Sequence, residues 1–320
     1  APMIRRFTLA PALLLAACGS NPAYAAAPPS LYLKGMVGKV VTGGTYSKIT
    51  LVNCIKCVVR DAKVTPPPAT NINEQAVRVI GSPGVLIEGL TITGQAATTG
   101  VKQTDPGPAG LVIGLWAGEG LYIESSPGAV IRRNVITRFH QGIAIGKFDG
   151  LLIDGNTIAN LRTSGIVGVP GNNVTITGNG IGASFPWRWN QTPAGDHGDK
   201  IHLWSAGGNV SGLTITDNVL DDGAGVAILG LFIQNKNGNF ANVTIERNTI
   251  RIGQSLAMML TGTNGSVSFN TLVPLSATKP ATIYSSYGNS GIWRGNTGGK
   301  GVVFNRKLTA AQKALVTVLP

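Results

Sequence analysis

The sequence predicts an all-β, single-domain solenoid of parallel strands, in coils of about 22 residues, and three observations predict it. First, a phrase recurs: a β-branched run, an Asn, then Ile or Leu. It reads VIRRNVI at 130–136, LLIDGNTI at 151–158, VTITGNGI at 174–181, LTITDNVL at 213–220, VTIERNTI at 243–250 and SVSFNTL at 266–272. Second, its Asn residues (Asn134, Asn156, Asn179, Asn218, Asn248, Asn270) are spaced by 22, 23, 39, 30 and 22 residues. Third, another alternating apolar segment accompanies the phrase in each unit: GIAIG at 142–146, GIVGV at 165–169, KIHLW at 200–204, LFIQ at 231–234 and AMML at 257–260.

Alternation at period two turns Ile and Val inward and Thr, Ser and charged residues outward. Runs this short cannot form hairpins across the few residues between them, so each stacks on its equivalent one coil later. The Asn falls in the tight turn between sheets, where its amide can bond the Asn of the next coil. A leucine-rich repeat needs a Leu-x-x-Leu-x-Leu frame, which is missing, and a β-propeller needs a longer unit. The pattern resembles the right-handed parallel β-helix of pectate-lyase-like proteins, over residues 28–305.

The elements follow in order. Residues 1–27 are expected to hold a vector remnant (Ala1-Pro2) and a secretory signal, with Arg5 and Arg6 before the apolar stretch Phe7–Ala17. Leu15-Ala-Ala-Cys18 fits a lipobox, which makes Cys18 a possible lipid anchor; Ala23-Tyr-Ala25 offers ordinary cleavage instead. Either route exports the chain, to the periplasm, the outer membrane as a lipoprotein, or the exterior. Residues 31–46 are expected to open the solenoid, with Cys54 and Cys57 filling its first turns or joined in a local disulfide. One C-x-x-C without a second pair makes a poor zinc site. Residues 306–320 form the end, where Thr309 can cap a short helix to about Val316 that covers the last coil.

The net charge is +12 (26 basic, 14 acidic residues), or +10 without Arg5 and Arg6. On an exported solenoid this favours an anionic partner such as an acidic polysaccharide. The basic residues are scattered, with no basic helix, so nucleic acid is not the expected partner. No stretch beyond the signal is long enough to span a membrane. The sequence leaves oligomeric state open.

The 39-residue gap marks an insertion, GASFPWRWNQTPAGDHGDK, at 182–200, and the 30-residue gap holds LDDGAGVAILG at 220–230. Loops on one edge of a solenoid should wall a groove, here over KIHLW. Trp187, Arg188 and Trp189 suit sugar stacking and carboxylate pairing. Of 14 acidic residues, Asp196, Asp199, Asp217, Asp221 and Asp222 crowd into 196–222, with His197 and His202. Asp217 lies within the Asn phrase and reads as a turn residue. Inward Ile201 and Leu203 leave Lys200, His202 and Trp204 outward, beside Val167, Phe232, Gln234 and Met259 of adjacent coils. Arg138, His140, Arg162 and Arg251 are expected in a column of pre-strand positions, as substrate contacts.

Residues 196–204, DHGDKIHLW, with LFIQ one coil on, resemble a segment of exported bacterial β-helix proteins with His-x-Asp, a strand and Trp; the match covers His197, Asp199, Ile201, Trp204 and Leu231-Phe232-Ile233. Mannuronan C5-epimerases carry Asp-Pro-His before an acidic residue, whereas the order here is Asp196-His197-Gly198-Asp199. Polygalacturonase-like hydrolases are echoed by Asp221-Asp222, without their Gly-His-Gly. Calcium-dependent pectate lyases cluster carboxylates, a role open to Asp196, Asp199, Asp221 and Asp222, with calcium as the one possible cofactor.

Three functions fit. A lyase or C5-epimerase on a uronate polymer would use Arg188 or Lys200 to neutralise the carboxylate and His202 or His197, oriented by Asp199, as base. A glycoside hydrolase would use Asp199 with Asp221 or Asp222. A glycan-binding, envelope or phage-related solenoid would use none of them catalytically.

Overall fold

The computed structural model describes residues 27–96, 116–187, 195–285, 290–298 and 303–304. The signal, the proposed Cys18 anchor and the C-terminal cap helix all lie outside these residues, as do Arg188 and Trp189. Among the described residues the strands form three parallel sheets of eleven, eleven and nine strands, each strand hydrogen-bonded to its equivalent one coil away. No helix occurs among the described residues, so none there is long and apolar enough to cross a membrane.

Each regular coil has three strands rather than the two expected. Coil 141–159 is an example: Gln141–Ile145 in the first sheet, Leu151–Asp154 in the second, Thr157–Ala159 in the third. The third strand begins directly after the Asn, and its first inward residue is the Ile or Leu of the phrase. Ile136, Ile158, Ile181, Leu220, Ile250 and Leu272 stack there in register. With Ile131, Ile153 and Ile176 of the second sheet and Leu121, Ile143 and Ile166 of the first, they fill one continuous core. Burying each such side chain contributes about 1.5–3 kcal/mol. Cys54 and Cys57 are free, fully buried thiols of this core, not a disulfide.

The Asn phrase builds a ladder. Asn134 Nδ2 donates to Asn156 Oδ1 at 2.9 Å, and the pattern repeats through Asn179, Asn218, Asn248 and Asn270 to Asn296. Each Oδ1 also accepts the backbone N–H of the preceding Asn, as Asn218 does from Asn179 at 2.9 Å. The second amide hydrogen meets a core carbonyl of the coil before, as Asn218 Nδ2 does with Ile176 O at 2.9 Å. The residue before each Asn bends the chain in the left-handed region: Arg133, Asp217, Arg247 and Phe269 adopt φ of 56°, 59°, 55° and 58°. Gly155 and Gly178 do so without the side-chain cost. Asp217 is therefore the turn residue expected, tied at the surface to Arg247.

Asn218→Ala should show what one rung contributes. It strands two donors of Asn179 and the carbonyl of Ile176, each unsatisfied group costing about 1–3 kcal/mol. The variant should lose about 3 kcal/mol or more in urea unfolding and show a lower Tm; a loss below about 1 kcal/mol would deny the ladder this role.

Candidate active site

Among the described residues the long connections leave one edge, where third-sheet strands hand over to first-sheet strands. There the segment 182–198 departs from Gly180–Ile181 and returns at Asp199–Trp204. Its neck is pinched: Asp196 N donates to Trp187 O at 2.8 Å, and Trp187 N donates to Asp196 Oδ2 at 2.7 Å. The buried guanidinium of Arg162, one coil below, grips the same carboxylate through Nε (2.6 Å) and Nη2 (2.9 Å). Phe185 meets Trp116 edge-on at 5.7 Å. The neck is thus nailed to the barrel, and Arg162 and Asp196 are its fastening.

Asp199 is the centre of the site. Its carboxylate is wholly buried, and Oδ2 receives Nδ1 of His197 at 2.9 Å and Nδ1 of His202 at 3.2 Å. Burial opposes its ionisation, but the bonds from His197 and His202 outweigh that and hold the carboxyl below its ordinary value. His197 is raised in return, by its bond to Asp199, with burial working against it. A buried carboxylate thus orients two imidazoles by their Nδ1 atoms, an arrangement that can support acid–base chemistry. His202 stacks on Phe232 (4.6 Å, 14° between planes) and lies edge-on to Trp204 at 5.1 Å. Its Nε2 is 3.4 Å from Gln234 Oε1. Register sets Val167, His202, Phe232 and Met259 in one outward row of the first sheet, with Trp204 beside Gln234 in the next.

Lys200 breaks the expectation: it is fully buried, not outward. Its column in neighbouring coils is Gly120, Gly142, Gly165 and Gly230, at a corner so tight that a Cβ on Gly165 would lie 2.6 Å from Lys200 O. Lys200 fills this corner with a long side chain that runs inside, to Gly182 O at 2.7 Å and Asp222 Oδ1 at 3.3 Å. Burial pushes Lys200 down and Asp222 up, while their mutual attraction opposes both shifts. Asp222 Oδ2 also takes the N–H of Gly253 at 2.8 Å. The pair ties the two loop bases to the site strand, and neither group reaches the groove.

The other candidates separate likewise. Asp221 and Arg251 lie on third-sheet strands and pair with each other at 3.4 Å, so Arg251 does not join the Arg138 column. Arg138 is exposed at a left-handed turn with φ of 67°, while His140 is buried. The four proposed calcium ligands do not converge: Asp196 has Arg162, Asp199 the two His, Asp221 Arg251 and Asp222 Lys200. Asp221 and Asp222, the expected partners of Asp199 in a carboxylate pair, are each engaged by a cation. Sequence reading also missed Lys236, whose Nζ sits 4.8 Å above the Trp204 ring. Its position two residues past Gln234 was the available signal.

Buried polar atoms without a protein partner gather at this edge. His140 Nδ1, Arg162 Nη1, Ser184 Oγ and Asp199 Oδ1 are such atoms, and among the described residues none lies outside 140–199. Buried polar groups are otherwise satisfied in folded proteins, so this concentration sets the edge apart from the rest of the described solenoid.

A family model for a right-handed β-helix region matches residues 48–229 and 119–289. No curated protein matches the sequence. Among solved structures, PfbA, a surface adhesin of Streptococcus pneumoniae, is 12% identical over 81% of this chain and 67% of its own, with a TM-score of 0.47. The Dettilon tailspike protein is 13% identical over 90% of this chain and 61% of its own, with a TM-score of 0.40. An exopolygalacturonase from Thermotoga maritima is 12% identical over 86% and 54%, with a TM-score of 0.34.

Two outcomes follow from the buried charges. Lys200→Met should cost about 3–5 kcal/mol by leaving Asp222 unpaired, and adding Asp222→Asn should restore part of it in urea unfolding; equal losses would mean the two do not act as a pair. His140 is lowered by burial to about 4, with Asp196 opposing and Arg162 assisting. It stays neutral when folded but charges when unfolded, so stability present above pH 6.5 is lost as pH falls towards 4. The loss should reach about 3 kcal/mol, and the same pH series on His140→Gln should fall less steeply.

Proposed function

The chain belongs to the right-handed β-helix family, and from that premise we propose that it is a lyase or C5-epimerase of a uronate-containing polysaccharide. The observation that carries this reading is the His197–Asp199–His202 unit, set on the outer face of the first sheet against Phe232 and Trp204. Trp204, the half-buried ring of the two, suits a sugar ring, and Lys236 beside it supplies a cation for a uronate carboxylate. That cation replaces Lys200, whose charge is spent inside.

The chemistry needs a base for the proton at C5 and an acid beyond it. His202, with its Nδ1–H on Asp199, offers the Nε2 lone pair, which Gln234 can hold by turning its amide NH2 towards it until substrate arrives. It takes the C5 proton, and the electron pair left on C5 spreads into the carboxylate. In elimination the pair returns to form the C4–C5 double bond as the glycosidic C4–O bond breaks, and the leaving oxygen takes a proton from His197. In epimerisation C5 instead takes a proton from His197 on the opposite face, while the abstracted proton stays on His202. Asp199 stays ionised throughout and stabilises whichever imidazole is cationic. A two-carboxylate hydrolase has no such support, because Asp221 and Asp222 are engaged elsewhere.

The test is a screen of uronate polymers and neutral glycans, with and without chelator. Elimination gives new ultraviolet absorbance, epimerisation a changed epimer ratio by NMR, hydrolysis reducing ends without absorbance. His202→Ala should cut the rate by about 100-fold or more with an unchanged Tm. Reducing ends alone, or no product from any polymer, would overturn the reading; the latter would favour glycan binding without catalysis.

A further inference from the structure

We infer that His197, Asp199 and His202 also form a binding site for a divalent transition-metal ion, with zinc as the reference case. Three donor atoms converge: the two imidazole Nδ1 atoms stand 2.9 and 3.2 Å from Asp199 Oδ2, and all three lie within 4.8 Å of one another. Two ligands of a tetrahedral ion held at about 2.0–2.1 Å stand about 3.3 Å apart. Both carboxylate–imidazole edges are within a few tenths of an ångström of that spacing. Only the edge between the imidazoles must close, from a separation already within 4.8 Å.

A second observation is independent of this spacing. Asp199 is 0% exposed, yet its Oδ1 has no hydrogen-bond partner within the protein. A buried carboxylate normally has its lone pairs filled. Here one oxygen carries both protein contacts and the other none, so the group has coordinating capacity that the fold leaves unused. Two imidazoles and one carboxylate suit zinc, iron or manganese, whereas calcium takes six or more oxygens. Among the described residues no other group of three His, Cys, Asp or Glu has ligand spacing. The chain holds three His, and two of them are here.

Metal and proton compete for the same atoms. In the acid–base role each Nδ1 carries the hydrogen given to Asp199, and Nε2 of His202 holds the reactive lone pair. With the ion on Nδ1, the neutral imidazole keeps its proton on Nε2, and the lone pair that takes the C5 proton is gone. Metal binding therefore closes the site. This consequence rests on the function proposed above, whereas the binding itself does not.

The two parts are tested separately. The full chain is titrated with Zn²⁺ by calorimetry and with Co²⁺ by visible absorption, with no glycan present. One ion per chain is expected, with a Co²⁺ spectrum of low coordination number. His197→Ala should weaken zinc at least tenfold with an unchanged Tm. Asp199→Asn risks misfolding, so the exposed His197 is the deciding position. The absence of saturable binding, or an affinity in His197→Ala and His202→Ala unchanged from that of the unsubstituted chain, would overturn the site. If the glycan screen finds a reaction, saturating Zn²⁺ should suppress it and chelator restore it; indifference to zinc would overturn the competition. A screen with no product leaves the titration result standing, so the two failures are distinguishable.

Discussion

Every coil of this solenoid must turn a corner in its interior, where a bent backbone leaves amide groups out of reach of water. The Asn ladder answers that constraint. One side chain per coil accepts two donors from the coil before and returns one hydrogen to it and one to the next coil. Since each rung satisfies its neighbours, the array holds only if the coils keep register. The three sheets, the continuous Ile and Leu columns and the alignment of the outward rows all depend on it. The residue before each Asn accepts a left-handed backbone as part of the same bargain.

The opposite corner works under the reverse condition. The edge from which the long segments leave carries unpartnered buried atoms, an imidazole kept neutral and two buried ion pairs. Arg162–Asp196 and Lys200–Asp222 both fasten loop bases to the barrel. Between them Asp199 holds two imidazoles in place. A rigid ladder on one side and a polar, loop-bearing edge on the other is a division of labour that suits acid–base chemistry, where orientation must be fixed before the substrate arrives.

The solenoid was legible because its period and its alternation report the same packing. The third strand was not, since two or three residues after an Asn carry a single inward Ile or Leu and no alternation to read. His202, Phe232 and Gln234 could be set on one face by parity alone. Lys200 could not, because parity fails where the chain enters the first sheet: both Asp199 and Lys200 are buried there, and Gly165 N lies near the carbonyls of both. Aligning Lys200 with Gly142, Gly165 and Gly230 would have exposed the corner, since no long side chain belongs at a glycine column unless it turns inside. Arg251 was misplaced for the related reason that its strand was not recognised. The grouping of acidic residues was visible, but sequence distance says nothing of which cation each one meets.

The gap of 39 residues between Asn179 and Asn218 is spanned by the same amide contact, 3.0 Å, as the gap of 22 between Asn134 and Asn156 is at 2.9 Å. The ladder thus acts as a ruler of height that ignores contour length. Chain can be added on the loop-bearing edge without altering the rise from one coil to the next, so the distance along the axis between any two outward residues is set by counting rungs. A polymer lying along the first sheet would meet its contacts at that fixed spacing, whatever the loops beside it become.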